Sequence, residues 1–230
     1  MKLFSNLESI SVKASSDFES VLAFNQTTGD ARNLQTALEV IKSVFETVNV
    51  PYAIGGALAY GFYAKPRTTN DVDVFSRPSS IKKVLAELDK RNIKYIKEHK
   101  SQYIIPKGDS NRSDFDILLG IDDAHEELMY KPNKGSIFGV EVLIARPEGL
   151  LWNYLISITD NTDKAKKAQH TSDAINLIRS GKVKINNLRA ELEETDFELV
   201  MLLEELIEDS STSGSYASTR ASMQKRKQNQ

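Results

Sequence analysis

The spacing of apolar residues along the chain predicts a series of strands with few helices among them. Residues 33–48 place apolar side chains every three or four positions, which is typical of an amphipathic helix with one buried face. Between residues 50 and 144 the apolar runs are shorter, and several alternate with polar residues as strands do. The predicted strands are 50–54, 71–75, 93–96, 102–105, 114–119 and 138–144, with helices at 57–63 and 81–90. This pattern favours a mixed sheet of five or six strands.

From residue 147 onward the pattern is that of helices alone. They are predicted at 147–158, 163–180, 185–192 and 196–208, and Pro147 suits a first helical turn, where a missing amide hydrogen costs nothing. Because only one long helix interrupts the strands before it, an α+β fold is favoured over a doubly wound parallel sheet. We therefore predict a mixed β-sheet with helices on one face, followed by a helical C-terminal subdomain.

The chain divides into four predicted regions. Residues 1–30 form a polar, weakly structured lead-in, residues 31–146 the sheet-containing domain and residues 147–209 the helical subdomain. Residues 210–230 hold four basic residues and no acidic one, a composition that favours a disordered basic tail.

The composition excludes some kinds of metal site and partner but does not identify an activity. The 230 residues are 40% hydrophobic and carry a formal net charge of -2. The overall charge therefore does not favour binding to nucleic acid. The absence of Cys excludes a thiolate metal site, and three His make a His-rich centre unfavourable, whereas hard ions held by carboxylates remain open. No signal-like or membrane-spanning apolar run is found, so we expect a cytoplasmic protein that does not enter membranes.

A glycine pair, Gly55 and Gly56, separates a predicted strand from a predicted helix. Glycines here let the backbone approach a ligand, and the amide hydrogens at a helix N-terminus favour phosphate. The pair therefore predicts an anion site, with a simple turn as the alternative.

Asp71 and Asp73 lie two residues apart on a predicted strand, so both side chains leave the same face about 6 to 7 Å apart. Carboxylates so placed can hold Mg²⁺ together with substrate phosphates. A third carboxylate is offered by Asp114 or Asp116, and we favour Asp116 because it lies in the more apolar half of its strand. A lone Asp-x-Asp is more often a solvated strand face, but Arg67 and the glycine pair upstream favour a metal site.

The order Gly-Gly, short helix, Arg-x-Thr-x-Asp-x-Asp and a later strand Asp resembles the nucleotidyltransferase superfamily typified by DNA polymerase β. Within it the chain looks most like small bacterial members related to AbiEii-type abortive-infection toxins, in which Pro-Glu-x-Leu opens the helical part. The resemblance extends over about residues 33–181.

This resemblance implies roles for particular residues. Asp71, Asp73 and Asp116 would be catalytic and hold Mg²⁺, with Mn²⁺ as an alternative. The implied nucleotide-binding residues are Gly55, Gly56, Arg67, Thr69, Lys164 and Lys167. Relatives often place a Lys where this chain has Tyr154, and Asp173 would have a supporting role.

The implied activity is transfer of a nucleoside monophosphate from an NTP to an acceptor hydroxyl. The acceptor would be a tRNA 3′ end or a protein side chain, in a toxin or phage-defence enzyme with an antitoxin partner. One alternative is a small-molecule enzyme of the aminoglycoside type. The other is a non-catalytic nucleotide-binding or interaction module of the same fold.

Overall fold

The computed structural model describes residues 30–108, 110–120 and 132–212. The helices of this part are α1 Asp30–Thr47, α2 Gly56–Tyr60, α3 Ile81–Lys90, α4 Pro147–Asp160, α5 Lys164–Arg179, α6 Ile185–Thr195 and α7 Phe197–Ser211. The strands are β1 Tyr52–Ile54, β2 Asp71–Ser76, β3 Ile96–His99, β4 Gln102–Ile105, β5 Asp114–Leu119, β6 Asn133–Ile137 and β7 Val140–Ile144.

The strands form one mixed sheet in the order β3-β4-β5-β2-β1-β7-β6. Strand β2 pairs antiparallel with β1 and parallel with β5, while β1 pairs parallel with β7. The two hairpins, β3-β4 and β6-β7, form the edges of the sheet. The prediction of an α+β fold with a mixed sheet and a helical C-terminal part is confirmed.

Helix α1 packs against β2, β7 and α3. Its residues Leu34, Leu38, Ile41 and Phe45 are completely buried, which is the face that the three- and four-residue spacing predicted. Burial of each such side chain contributes roughly 1.5 to 3 kcal/mol, so this face fixes the helix on the sheet.

Two strand predictions were wrong. The strand predicted at 93–96 lies at Ile96–His99, where all four residues are exposed and no apolar alternation marks it. The single strand predicted at 138–144 is a hairpin, because Phe138 and Gly139 both have positive φ and form the turn between β6 and β7. Within the described residues the sheet therefore has seven strands instead of the predicted five or six.

The chain consists of two compact units, divided between Trp152 and Asn153. In the second unit, α7 packs against α5 and α6. Asp163 and Asp196 cap α5 and α7 by accepting hydrogen bonds from backbone amides of the first helical turns. Residues 1–29 and 213–230, which include most of the predicted lead-in and tail, lie outside the described residues. No helix in the described ranges is long and apolar enough to cross a membrane.

Candidate active site

Four aspartates lie together on one face of the sheet. Strands β2 and β5 pair in parallel with Asp71 beside Asp114 and Asp73 beside Asp116. Because neighbouring strands are about 4.8 Å apart and alternate side chains share a face, the four carboxylates form a two-by-two group. We call this group the carboxylate patch, with Asp73 and Asp116 as its inner row and Asp71 and Asp114 as its outer row.

The glycine pair lies against the inner row. The Gly55 amide donates a hydrogen bond to the Asp73 carbonyl oxygen at 2.8 Å. Gly56 has a φ of +53°, and a β-carbon there would lie 1.7 Å from Asp73 Oδ2. A β-carbon on Gly55 would lie 2.7 Å from the ring of Phe75. Both glycines are therefore required to make room for β2, while their predicted role in binding phosphate stays a prediction.

The inner row is half-buried and is held by residues distant in sequence. Gln102 on β4 donates a hydrogen bond from Nε2 to Asp116 Oδ2 at 2.7 Å. Strand β4, which carries Gln102, lies on the opposite side of β5 from β2.

The outer row is exposed and is bonded by its own loops. Thr69 Oγ1 donates to Asp71 Oδ1 at 2.6 Å, and the Lys107 amide donates to Asp114 Oδ1 at 2.5 Å. Thr69 and the half-buried Arg67 lie in the segment just before β2, so both are close in sequence to Asp71 and Asp73. Their predicted contacts with a nucleotide stay predictions.

The patch fits Mg²⁺ in its donor chemistry, since it offers only the hard oxygen ligands that this ion prefers. Yet in residues 30–108, 110–120 and 132–212, no three His, Asp or Glu side chains are already arranged around a point that a metal ion could occupy. Thr69 and Gln102 each donate a hydrogen bond to one carboxylate of the patch, Asp71 and Asp116 respectively.

The remaining predicted residues belong to the second unit. Lys164 is exposed and Lys167 half-buried at the start of α5, and their role in binding a nucleotide stays a prediction. Tyr154, at the position where relatives often have Lys, is 3% exposed and its ring packs 5.5 Å from that of His170. It is therefore a packing residue. Asp173 is buried and accepts a hydrogen bond from Gln169 at 2.9 Å.

Sequence reasoning missed Gln102 and Phe75, the residues that fix Asp116 and Gly55. No local pattern marks them, because Gln102 meets Asp116 only through the pairing of β4 with β5. Phe75 reads as an ordinary buried strand residue until β1 is placed beside β2.

No protein family model and no curated protein sequence matches the chain. Among solved structures, it is similar to an antigenic nucleotidyltransferase-like protein from Paracoccidioides brasiliensis. That match has a TM-score of 0.50 and 20% identity, and it covers 77% of this chain and 88% of the other. The chain therefore has the nucleotidyltransferase fold.

Two further likenesses are weaker. ANT(2")-Ia in complex with adenylyl-2"-tobramycin matches with a TM-score of 0.49 and 16% identity, over 77% of this chain and 99% of the other. The lincosamide antibiotic adenylyltransferase LnuA, lincomycin-bound, matches with a TM-score of 0.44 and 16% identity, over 64% and 98%. Neither adds to the conclusion on the fold.

Proposed function

We propose that this protein is a Mg²⁺-dependent nucleotidyltransferase that moves a nucleoside monophosphate from an NTP to an acceptor hydroxyl. The acceptor oxygen forms a bond to the α-phosphorus while the bond from that phosphorus to the β-phosphate oxygen breaks, and pyrophosphate leaves. The observation that carries this proposal is the register of β2 and β5, which sets Asp73 beside Asp116 with Asp71 on the same face. The nucleotidyltransferase fold of the chain supports it.

Asp71, Asp73 and Asp116 would hold the metal. When bound, Mg²⁺, or Mn²⁺ in its place, neutralises phosphate charge and activates the attacking oxygen. Asp116 is half-buried on the inner row, so it is the carboxylate that we assign to take the proton of the acceptor hydroxyl. The phosphate-binding residues would be Gly55, Gly56, Arg67, Thr69, Lys164 and Lys167.

The patch also argues against a non-catalytic module of the same fold. Carboxylates that lie opposite one another on neighbouring strands repel one another, which destabilises the sheet that carries them. A protein that only binds a partner has no physical reason to hold four of them on one face.

The proposal is tested with each α-labelled NTP, Mg²⁺ and a set of acceptors. We expect labelled product with the wild type and a loss of roughly 1,000-fold for Asp73→Asn, because a metal ligand supplies several kcal/mol to the transition state. Glu98→Gln, which removes an exposed carboxylate on β3, is the control and should keep full activity. A wild type that binds NTP but labels no acceptor would instead support the binding module.

For the acceptor we propose a tRNA 3′ end or a Ser, Thr or Tyr hydroxyl of a protein, in a toxin-related enzyme neutralised by an antitoxin partner. This rests on the resemblance of the Gly-Gly to Asp-x-Asp segment and of Pro-Glu-x-Leu to toxin-related members. Total tRNA and cell lysate are the acceptors that test it. A labelled RNA or protein band that is absent with Asp73→Asn is the expected result.

An acidic groove in the second unit favours a second candidate, a small polycationic acceptor such as an aminoglycoside. The groove has a volume of about 580 Å³ and is lined by four Glu but only one Lys, among apolar residues of α4 and α7. Its acidic members are Glu198, Glu204, Glu205 and Glu208, of which Glu204 is paired with Arg189. Such a surface attracts polycations. An aminoglycoside panel tests this candidate, and Glu205→Gln should then raise KM for the aminoglycoside without changing KM for the NTP.

A further inference from the structure

Arg146 follows β7 at the end of the sheet that carries the inner row. Strands β1 and β7 are parallel, with Ile54 beside Ile144, and the Ala145 amide donates to the Ile54 carbonyl at 2.8 Å. Gly55 follows β1 in the same way and is bonded to Asp73. The residues that follow β1 and β7 therefore lie at the same end of the strands as the start of β2.

The backbone that carries Arg146 is fixed by a buried polar chain. The Tyr63 hydroxyl donates to the Ala145 carbonyl oxygen at 2.9 Å and accepts from Asn133 Nδ2 at 3.0 Å. Burial raises the pKa of Tyr63 to about 12, so its hydroxyl stays protonated at neutral pH and keeps donating this bond. On its other side, the segment continues directly into α4 at Pro147.

The Arg146 side chain is half-buried and forms no hydrogen bond or ion pair with any residue of the described ranges. The other arginines with described contacts differ. Arg112 and Arg179 each donate to three backbone carbonyl oxygens, Arg91 pairs with Glu87, and Arg189 pairs with Glu204. Partial burial of a guanidinium costs solvation that a bound anion would restore.

The position suits the phosphate end of a nucleotide. In the order β2-β1-β7, the strand of Arg146 is two strands from that of Asp73, or roughly 10 Å at 4.8 Å per strand. If the α-phosphate of an NTP lies at the inner row, the triphosphate can extend past Gly55 at the end of β1. Its β- and γ-phosphates then lie toward β7. A guanidinium binds phosphate oxygens in pairs, which an ammonium group does not.

We propose that Arg146 binds the β- and γ-phosphates of the NTP. The inference rests on the proposed function, since it assumes that an NTP binds at this end of the strands, beside the inner row. Tyr63 and Asn133 are positioning residues. They hold the Ala145 carbonyl and, through it, the backbone of Arg146.

Equilibrium binding tests this inference without turnover. Affinities of the full-length protein for each NTP, the matching NMP and tripolyphosphate are measured in Mg²⁺. For Arg146→Gln we expect NTP and tripolyphosphate binding about 10- to 100-fold weaker, as for a lost charge-assisted hydrogen bond, and NMP binding within about twofold of wild type. Arg146→Lys should recover part of the affinity. Lys134→Gln removes an exposed cation on β6 and is the matched control, with no expected change.

Tyr63→Phe tests the positioning role. It deletes the bond to Ala145 and should weaken NTP binding about three- to tenfold, as expected for a lost neutral hydrogen bond, while leaving NMP binding unchanged. A residue with only a structural role would lower the melting temperature without this difference between NTP and NMP.

The outcomes separate the two proposals. If wild type and Arg146→Gln bind NTP equally, the inference is overturned and nucleotidyl transfer is untouched. If Arg146→Gln weakens NTP binding but the wild type transfers no nucleotide to any acceptor, the inference stands and the proposed function fails. A wild type that binds neither NTP nor tripolyphosphate overturns both.

Discussion

The two rows of the carboxylate patch have the same residue type and the same strand pairing, yet they are supported in different ways. Asp73 and Asp116 of the inner row contact Gly56 and Gln102, which belong to other elements of the sheet domain. Asp71 and Asp114 of the outer row are bonded to the loops just before them. The inner row thus depends on the assembled sheet, and the outer row on local chain geometry.

This difference teaches where substitutions should be most damaging. Water can replace a hydrogen-bond donor at an exposed outer carboxylate, so a lost partner there costs little. At the inner row the partners are backbone and half-buried side chains, and a change in them displaces a carboxylate with less solvent to compensate.

The largest effect is expected for Gly56→Ala. Its β-carbon would take the place of Asp73 Oδ2, so Asp73 must move, and transfer activity should fall roughly 1,000-fold, as for loss of a metal ligand. Gly108→Ala is the matched control, because its φ of +56° gives the same backbone strain with nothing within 4 Å of the new β-carbon. Both kcat/KM and the melting temperature are measured. Equal activity of the two variants would show that Asp73 is not needed where it lies.

Next in size is the contrast between Asp116→Asn and Asp114→Asn. We expect a loss of at least about 100-fold for Asp116→Asn, which removes the proposed general base and a proposed metal ligand, and less than about threefold for Asp114→Asn. The measurement is kcat for nucleotidyl transfer at saturating NTP. Equal losses would break the distinction between the rows, and a larger loss at Asp114 would assign the third carboxylate to the outer row.

Gln102→Leu should have an intermediate effect. Loss of the bond to Asp116 leaves that carboxylate less well oriented, and partners of this kind affect metal affinity or activity about 10-fold. The Mg²⁺ concentration that gives half-maximal activity is the quantity to measure. Gln35→Leu, which removes an exposed amide bonded within α1, is the control. An unchanged Mg²⁺ dependence would mean that Gln102 does not act on the metal site.

Thr69→Val should have the smallest effect. Asp71 is exposed, so water can replace the lost hydroxyl and activity should fall no more than about threefold. Thr68→Val, one residue earlier and exposed, serves as the control. If Thr69→Val is more damaging than Gln102→Leu, the order of the two rows is reversed, and the proposed contact of Thr69 with the nucleotide matters more than its bond to Asp71.

Much of the fold followed from local patterns. Alternation over Asp71–Ser76 and Asp114–Leu119 gave both strands of the patch, and helical spacing gave α1 and the four C-terminal helices. Strand β3 could not be found this way because both of its faces are exposed. Strand β6 was hidden because its middle, Lys134 to Ser136, is polar and contains a glycine.

The site was predictable only where it is local. The spacing of Asp71 and Asp73 placed them on one face, but the contact of Gly56 with Asp73 arises from the pairing of β1 with β2. For the same reason the sequence predicted a phosphate role for the glycines and did not foresee the room they leave for Asp73 and Phe75. Resemblance to relatives pointed to a lysine on α4, whereas Arg146 precedes that helix.

The parallel pairing of β2 with β5 also has a consequence for how the protein is made. Helix α3 and strands β3 and β4 lie between these strands in the chain, and β4 must pair with β5 to supply Gln102. Contacts between segments so far apart form late, because a long loop must close first. A nascent chain in which β2 but not β5 has left the ribosome carries only half of the patch. We therefore expect no activity during synthesis until Leu119 has left the ribosome and β5 has paired with β2 and β4.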